Sequence, residues 1–464
     1  MKSGQKQSQL AAKLKMTLDA DQLTNCMRCG FCQSACPTFL ETGLEAASPR
    51  GRIALMKAVA DGLMEPDQAF RDQIDLCLGC RACEPACPSD VKYGQLLEQT
   101  KEAMATERKY SLPGKLVRKV FLEGVFPHPG KTRALGHLLK FYQKSGMRRV
   151  AQKSGFMNLF PEHMREMEAI LPEAGGDGVI GRWLNRRLPA YREQTADGGM
   201  LLVVPPVGEK VGRVALFRGC IMDVLFTSTN VNTIRLLRQA GFEIVVPDAQ
   251  SCCGALHSHT GELEAARRLA LRNIRAFAQT NADAVVTNAG GCGAMLKEYN
   301  HLLHKDRLHR EEAADFASKV KDVTELLNER KHTLQMKPYT SKRIVTYQDS
   351  CHLRNVMRIR SQPRQLLQSI PGVEFREMQG ADRCCGSAGI YNLLQPEMSS
   401  SVLDHKMEKA EATQAELIVT SNPGCLLQMK WGIHRTGKTG RMKAVHLVDL
   451  LAESVVVRDH LAAD

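Results

Sequence analysis

The chain lacks several features that would have placed it quickly. No run approaches the roughly 18 apolar residues of a membrane-crossing helix. Residues 1–16 are polar and lysine-bearing, without the apolar stretch of a secretion signal. A cytoplasmic protein is expected, or one peripheral on the cytoplasmic face of the inner membrane, where thiols stay reduced. No G-x-G-x-x-G follows a strand-like run, so a dinucleotide or flavin fingerprint is missing. Of the 464 residues, 63 are Lys or Arg and 50 are Asp or Glu, a formal charge of +13. Basic stretches interleaved with aromatics are nevertheless absent, and no nucleic-acid partner is expected. An acidic partner protein or an anionic membrane surface fits the charge better.

What the chain has instead is cysteine, 16 in all. Two copies of one run open it: Cys26, Cys29, Cys32 and Cys36 before Pro37, then Cys77, Cys80, Cys83 and Cys87 before Pro88. Each reads C-x2-C-x2-C-x3-C-P, the spacing with which two-cluster ferredoxins hold [4Fe–4S] cubanes. The short C-x2-C steps wrap three thiolates around one cube, and the fourth cysteine leaves toward the other. Cys26, Cys29, Cys32 and Cys87 are therefore expected on one cluster, and Cys77, Cys80, Cys83 and Cys36 on the second. The proline after each run stiffens the exit and offers no N–H. Zinc sites pair a C-x2-C with a distant second pair, not a triplet plus Cys-Pro. Disulfides would need an oxidising compartment. Two oxidised cubanes with their thiolates would each carry about −2, which leaves the chain basic.

The order of patterns divides the chain. Residues 1–105 form the expected two-[4Fe–4S] ferredoxin-like domain, and the about forty residues between its runs look helical, not β-rich. Asp19 or Asp21 can cap a short helix leading into Cys26. Arg50 and Arg52, in Ser48-Pro49-Arg50-Gly51-Arg52, either neutralise cluster charge, meet a partner, or sit in a solvated loop before a helix. Residues 106–212 read as a helical connector, where 115–126 and 135–150 interleave Leu116, Val120, Phe121, Leu138 and Phe141 with Lys115, Arg118, Lys140 and Arg148. Such basic amphipathic stripes lie in a membrane interface or, more commonly, pack on their own protein. From residue 213 short apolar runs alternate with helical periods, which predicts parallel α/β sheets. Strands are expected over 213–217, 242–246 and 284–287, then again over 343–347, 373–378 and 417–420. The fold class is thus a multidomain α+β/α/β chain, a helical ferredoxin-like domain followed by a duplicated α/β cysteine-rich domain.

The duplication shows in the cysteines themselves. Residues 213–335 carry Cys220, then Cys252-Cys253-Gly254, then Cys292; residues 336–464 carry Cys351, then Cys384-Cys385-Gly386, then Cys425. Corresponding cysteines lie 131 to 133 residues apart, so the register holds across the whole unit. Each falls just after an expected strand, where loops at the edge of a parallel sheet carry functional groups. Three readings stand: a further iron–sulfur cluster, a redox-active thiol or quinone-facing surface, or the relic of a cluster site. His257 and His352, close to these cysteines, read as structural histidines before ligands.

Two ferredoxin-type runs followed by two Cys-Cys-Gly repeats resemble the iron–sulfur subunits of bacterial glycolate oxidase. More broadly they resemble the cysteine-rich family of heterodisulfide reductase subunits, the anchor subunit of anaerobic glycerol-3-phosphate dehydrogenase and lactate-utilisation iron–sulfur proteins. The resemblance covers nearly the whole chain. It implies an electron-transfer subunit without catalytic residues of its own for the organic step. FAD-containing partner subunits would oxidise glycolate or another 2-hydroxy acid, and electrons would pass singly toward quinone or another acceptor. The alternative it implies is a heterodisulfide-reductase-like or glycerol-3-phosphate-dehydrogenase-anchor-type subunit with redox chemistry at the Cys-Cys-Gly half. One departure weakens that alternative. The C-x-x-C that closes each heterodisulfide-reductase repeat is here Ala289-Gly-Gly-Cys292 and Asn422-Pro-Gly-Cys425.

Overall fold

The computed structural model describes residues 9–107, 112–186 and 188–456. Every described element up to residue 107 is helical: Gln9–Thr17, Ala20–Thr24, Pro37–Thr42, the short turn Glu45–Ala47, Pro49–Ala60, Gln68–Asp75 and Tyr93–Ala105. Local chemistry sets their starts. Asp19 caps the second helix by accepting from the N–H groups of Asp21 and Gln22. Ser48 accepts from Gly51 N at 3.0 Å with Pro49 in the first turn, so the Ser-Pro-Arg-Gly-Arg segment begins a helix and is not a solvated loop. Gly51 is required by close approach, because a Cβ there would stand 2.0 Å from the Glu45 carbonyl oxygen. Leu10, Leu14, Met56, Val59, Phe70, Ile74, Leu96 and Met104 close one apolar core beneath the two cysteine loops.

The connector begins with the helix Leu112–Arg118, a π-helical segment Lys119–Val125, and the helices Pro129–Lys144 and Met147–Lys153. The stretch 135–150 is broken at Gly146, which adopts φ +83°, a left-handed conformation that ends a helix. The helical expectation for 106–212 fails at its C-terminal end, where β1 (Tyr191–Gln194) and β2 (Met200–Val204) form a hairpin. The run Leu201, Leu202, Val203, Val204 is buried on both faces and β2 pairs with β4 (Phe242–Pro247), so these residues belong to a sheet.

Each repeat builds the same parallel sheet. In the first, β3 (Gly212–Leu216), β4, β5 (Ala284–Thr287) and β6 (Val320–Asp322) lie in the order β4-β3-β5-β6, with β2 and β1 added antiparallel at the β4 edge. In the second, β7 (Arg343–Tyr347), β8 (Val373–Phe375), β9 (Leu417–Thr420) and β10 (Lys443–His446) lie in the order β8-β7-β9-β10. The order of the duplicated strands is identical. The repeats pack through crossed equivalents: helix Thr227–Gln239 of the first against Leu447–Ser454 of the second, and Val323–Glu329 against Gln362–Gln368. Polar pairs fix the register, with Thr229 Oγ1 donating to Asp449 at 2.7 Å and Asn328 Nδ2 to Gln365 Oε1 at 2.8 Å. One apolar core runs through this seam, including Trp183, Ile234, Leu326, Tyr347, Leu366 and Leu451.

Candidate metal centres

The two ferredoxin-type loops have the same backbone bend. In the first run Arg28 and Gly30 flank the middle Cys29 with φ +55° and +90°; in the second Gly79 and Arg81 flank Cys80 with φ +61° and +58°. Two left-handed residues around one cysteine curl the chain in the same way in both loops, and each run places one arginine where the other has glycine. A non-glycine residue with positive φ costs free energy that the surrounding contacts must hold. Arg81 is held: its Nε donates to Glu84 at 2.8 Å, its guanidinium reaches Glu298 of the first repeat, and Glu84 in turn accepts from Gly94 N at 2.8 Å.

All eight cysteines of the runs are free thiols, and burial sorts them across the runs. Cys36, Cys77, Cys80 and Cys83 are buried, whereas Cys26, Cys32 and Cys87 are partly exposed and Cys29 is exposed. Each run therefore contributes its fourth cysteine to the class of the other run's first three. Cys36 caps the helix Pro37–Thr42 and so leaves the first loop in the direction of Arg52, beside which Cys77 of the second run also lies. Burial pushes the Cys83 thiol well up, and burial likewise leads the upward shift of Cys32.

Four thiols also gather in each repeat. Cys220 Sγ stands 3.6 Å from Cys252 Sγ, Cys252 touches Cys253, and Cys253 touches Cys292. In the second repeat Cys384 accepts from Cys351, Cys385 and Cys80, which pulls its thiol well down, while Cys385 also contacts Cys425. Each set draws its members from three loops after three successive parallel strands, the arrangement expected from sequence. The participation of Cys80 was not legible there, because it joins chain segments some 300 residues apart. Among the described residues, no three of His, Cys, Asp and Glu are drawn close enough to hold a single metal ion.

The missing fifth cysteine of the second repeat has a structural replacement. Asn422 Oδ1 accepts from Gly291 N of the first repeat at 3.0 Å, and its Nδ2 donates to Cys425 Sγ at 3.5 Å. At the matching position Ala289 is buried and offers no donor. The repeats differ again beneath the thiols. Gly254 packs on Ala266 and Gly386 on Ser399, which sets Asn273 of the first repeat near the register of Lys406 in the second. Asn273 is neutral and bonded to the backbone of Ser251 and Cys252. Lys406 is a buried cation near Cys384 and Cys385, its ammonium lowered to about 8 by burial. His257 is structural, its Nε2 meeting the Leu122 carbonyl at 2.7 Å. His352 lies 3.5 Å from Cys351 Sγ through Nδ1, and burial lowers it to about 3.

This donor chemistry fits iron–sulfur clusters: soft thiols on curled loops, sorted into two sets of four by burial, with a buried cation beside one set.

Known proteins place the chain in the same terms. Residues 22–91 match the model of a 4Fe-4S dicluster domain, residues 113–171 that of the glycolate oxidase iron-sulfur subunit linker region, and residues 214–297 and 345–430 that of a cysteine-rich domain. The chain is 49% identical over 455 residues to the probable glycolate oxidase iron-sulfur subunit of Bacillus subtilis (strain 168), covering 98% of this chain and 99% of that one. It is 28% identical over 456 residues to the glycolate oxidase iron-sulfur subunit of Escherichia coli (strain K12), covering 97% and 99%. It is 27% identical over 438 residues to a fumarate reductase (CoM/CoB) component of Methanothermobacter marburgensis, covering 93% of this chain and 72% of that one. Together with the paired cysteine loops and duplicated sheets, these matches show that the chain belongs to the family of glycolate oxidase iron-sulfur subunits.

Proposed function

We propose that this chain relays electrons within a complex that oxidises glycolate or a related 2-hydroxy acid. The observation that carries this reading is the sorting of eight free thiols into one buried set of four and one partly or wholly accessible set of four, each drawn from both runs. Cys26, Cys29, Cys32 and Cys87 hold the outer cluster, and Cys36, Cys77, Cys80 and Cys83 the inner one. Bound there, the clusters supply one-electron reduction and oxidation. The chain's own residues curl the loops, supply charge beside the thiols and dock the second run on the second repeat. Substrate oxidation belongs to FAD-containing partner subunits, since no flavin fingerprint occurs on this chain. The four thiols of the second repeat, beside Lys406 and Cys80, are the better candidate for a third cluster.

Membrane attachment is assigned to the connector. Leu138, Phe141 and Val150 are 63%, 60% and 66% exposed among Lys140, Arg148 and Arg149, a composition suited to the surface of an anionic bilayer. Quinone is the acceptor that such a location favours. No helix among the described residues is long and apolar enough to cross a membrane.

Glycolate-dependent dye reduction tests the reading, with the chain assayed alone and with its co-expressed partners. Activity only in the complex is expected, and glycolate oxidation by the isolated chain would overturn it. Reduction of a small disulfide by the isolated chain would favour chemistry at the Cys-Cys-Gly half, a reading supported by the lowered Cys384 thiol. Iron analysis separates the cluster counts, about eight irons for two cubanes and about twelve for three.

A further inference from the structure

Arg52 is a buried cation beside the cysteine runs, 0% exposed on the helix Pro49–Ala60. Its Nε donates to the Gln73 carbonyl at 2.6 Å and its Nη2 to Thr38 Oγ1 at 3.1 Å. Nη1 is buried without a partner, and no carboxylate pairs with this guanidinium among the described residues. A buried charge without a counter-charge is strongly destabilising, so an anion must be supplied where Arg52 sits. The ionisable groups in reach are Cys77, Tyr93 and Cys36, so the thiols among them come one from each run. Both are themselves tethered, Cys36 Sγ by Thr38 Oγ1 at 3.3 Å and Cys77 Sγ by the Tyr93 hydroxyl, which donates at 3.4 Å.

Arg50, two residues earlier, is the contrasting case. It lies by the exposed loop, donating to the Arg28 carbonyl at 2.8 Å, and its charge is already matched by Glu45 through Nε at 2.7 Å and Nη2 at 3.0 Å. The outer thiol set thus has a neutralised, solvent-screened cation beside it, and the inner set has an unmatched, desolvated one. Electrostatic interactions in the interior are several times stronger than at the surface.

We infer that Arg52 is the fixed counter-charge of the inner cluster and holds its reduction potential above that of the outer one. Reduction adds one electron and no proton, taking a thiolate-ligated cubane from about −2 to about −3. A buried cation favours the more negative form, so the equilibrium for that electron moves toward the inner site. Electrons entering at the exposed set, near Cys29, then run downhill to the buried set, which abuts the second repeat through Cys80 and Cys384. Arg52 acts in this way only if Cys36, Cys77, Cys80 and Cys83 hold a [4Fe–4S] cluster, as proposed above.

The test is anaerobic potentiometry of the full-length chain followed by EPR, with Arg52→Gln, Arg52→Lys and Arg50→Gln, and with Cys36→Ser to identify the inner signal. In Arg52→Gln the reduced-to-oxidised ratio of the inner cluster at fixed potential should fall at least about tenfold, equivalent to about 59 mV for one electron. The outer signal should change less than about twofold, Arg52→Lys should recover most of the loss, and Arg50→Gln should leave both signals in place. If Arg52→Gln fails to retain the inner cluster while Arg52→Lys keeps it, the charge is needed for assembly, and the inference then stands if the wild-type inner potential lies above the outer one and falls if it lies below. Unchanged potentials in Arg52→Gln, an equal shift of both clusters, or equal damage by Gln and Lys would overturn it. A wild-type chain without two cubane signals would instead overturn the cofactor assignment, independently of Arg52.

Discussion

Asn355 of the second repeat donates through Nδ2 to the carbonyl oxygen of Cys80 at 3.0 Å, a bond between residues 275 positions apart. Tyr391 makes a companion contact to the Leu76 carbonyl at 2.8 Å. Together they dock the second cysteine run on the second repeat, with Cys80, Cys351 and Cys384 sharing one buried apolar cluster.

Replacing Asn355 by Leu removes the donor and leaves the buried Cys80 carbonyl unpaired. A loss of about 1–3 kcal/mol is expected, with faster proteolysis of the ferredoxin-like unit from the rest of the chain. Denaturant unfolding with limited proteolysis measures both, and wild-type behaviour in each would contradict the docking role.

Gly51→Ala places a Cβ 2.0 Å from the Glu45 carbonyl, and backbone cannot yield as a side-chain tip can. The helix bearing Arg52 must shift, at a cost of more than about 3 kcal/mol. Iron content should drop, because that helix abuts both runs. A variant with full iron and unchanged unfolding midpoint would show that the segment relaxes freely.

The carboxyl of Asp322, buried at the head of the helix Val323–Glu329, is raised from 3.8 to about 7 by burial. A folded pKa above the unfolded one contributes stability that is full below the unfolded value and is lost as pH rises through the folded value. Stability from this group therefore declines between about pH 4 and pH 7, by up to about 4 kcal/mol at about 1.4 kcal/mol per pKa unit. Asp322→Asn keeps a capping acceptor and should flatten that decline relative to wild type. Anaerobic unfolding across pH 5 to 8 would reveal it; parallel pH profiles would contradict the assignment.

Leu138→Glu and Phe141→Glu alter residues that are 63% and 60% exposed, so folding stability should change by less than about 0.5 kcal/mol. Binding to phosphatidylserine-containing vesicles should nevertheless weaken at least about tenfold and be salt-sensitive in the wild type. Equal sedimentation of wild type and variants with vesicles would remove the connector from membrane attachment.

Much was determined by the sequence alone. The doubled cysteine spacing predicted a two-cluster domain, since a cubane tolerates few loop lengths, and residues 22–91 match one; the 131 to 133 residue offset announced the duplication. The expected strands 284–287, 343–347 and 417–420 coincide with β5, β7 and β9, because central parallel strands are short apolar runs that local pattern detects. The hairpin β1–β2 escaped notice because β2 pairs with a segment some forty residues later; β6 has only three residues, and β10, as long as β5 and β9, opens on Lys443 and ends on His446 and so lacks their apolar run. Tertiary structure alone decided which charges matter. Arg50 and Arg52 are indistinguishable as letters two positions apart, yet helical geometry sends one to Glu45 at the surface and the other into the core beside Cys36 and Cys77. The same holds for Lys406 and Asn273, and for Cys80 meeting Cys384: desolvation depends on the whole surrounding fold, and no local pattern encodes it.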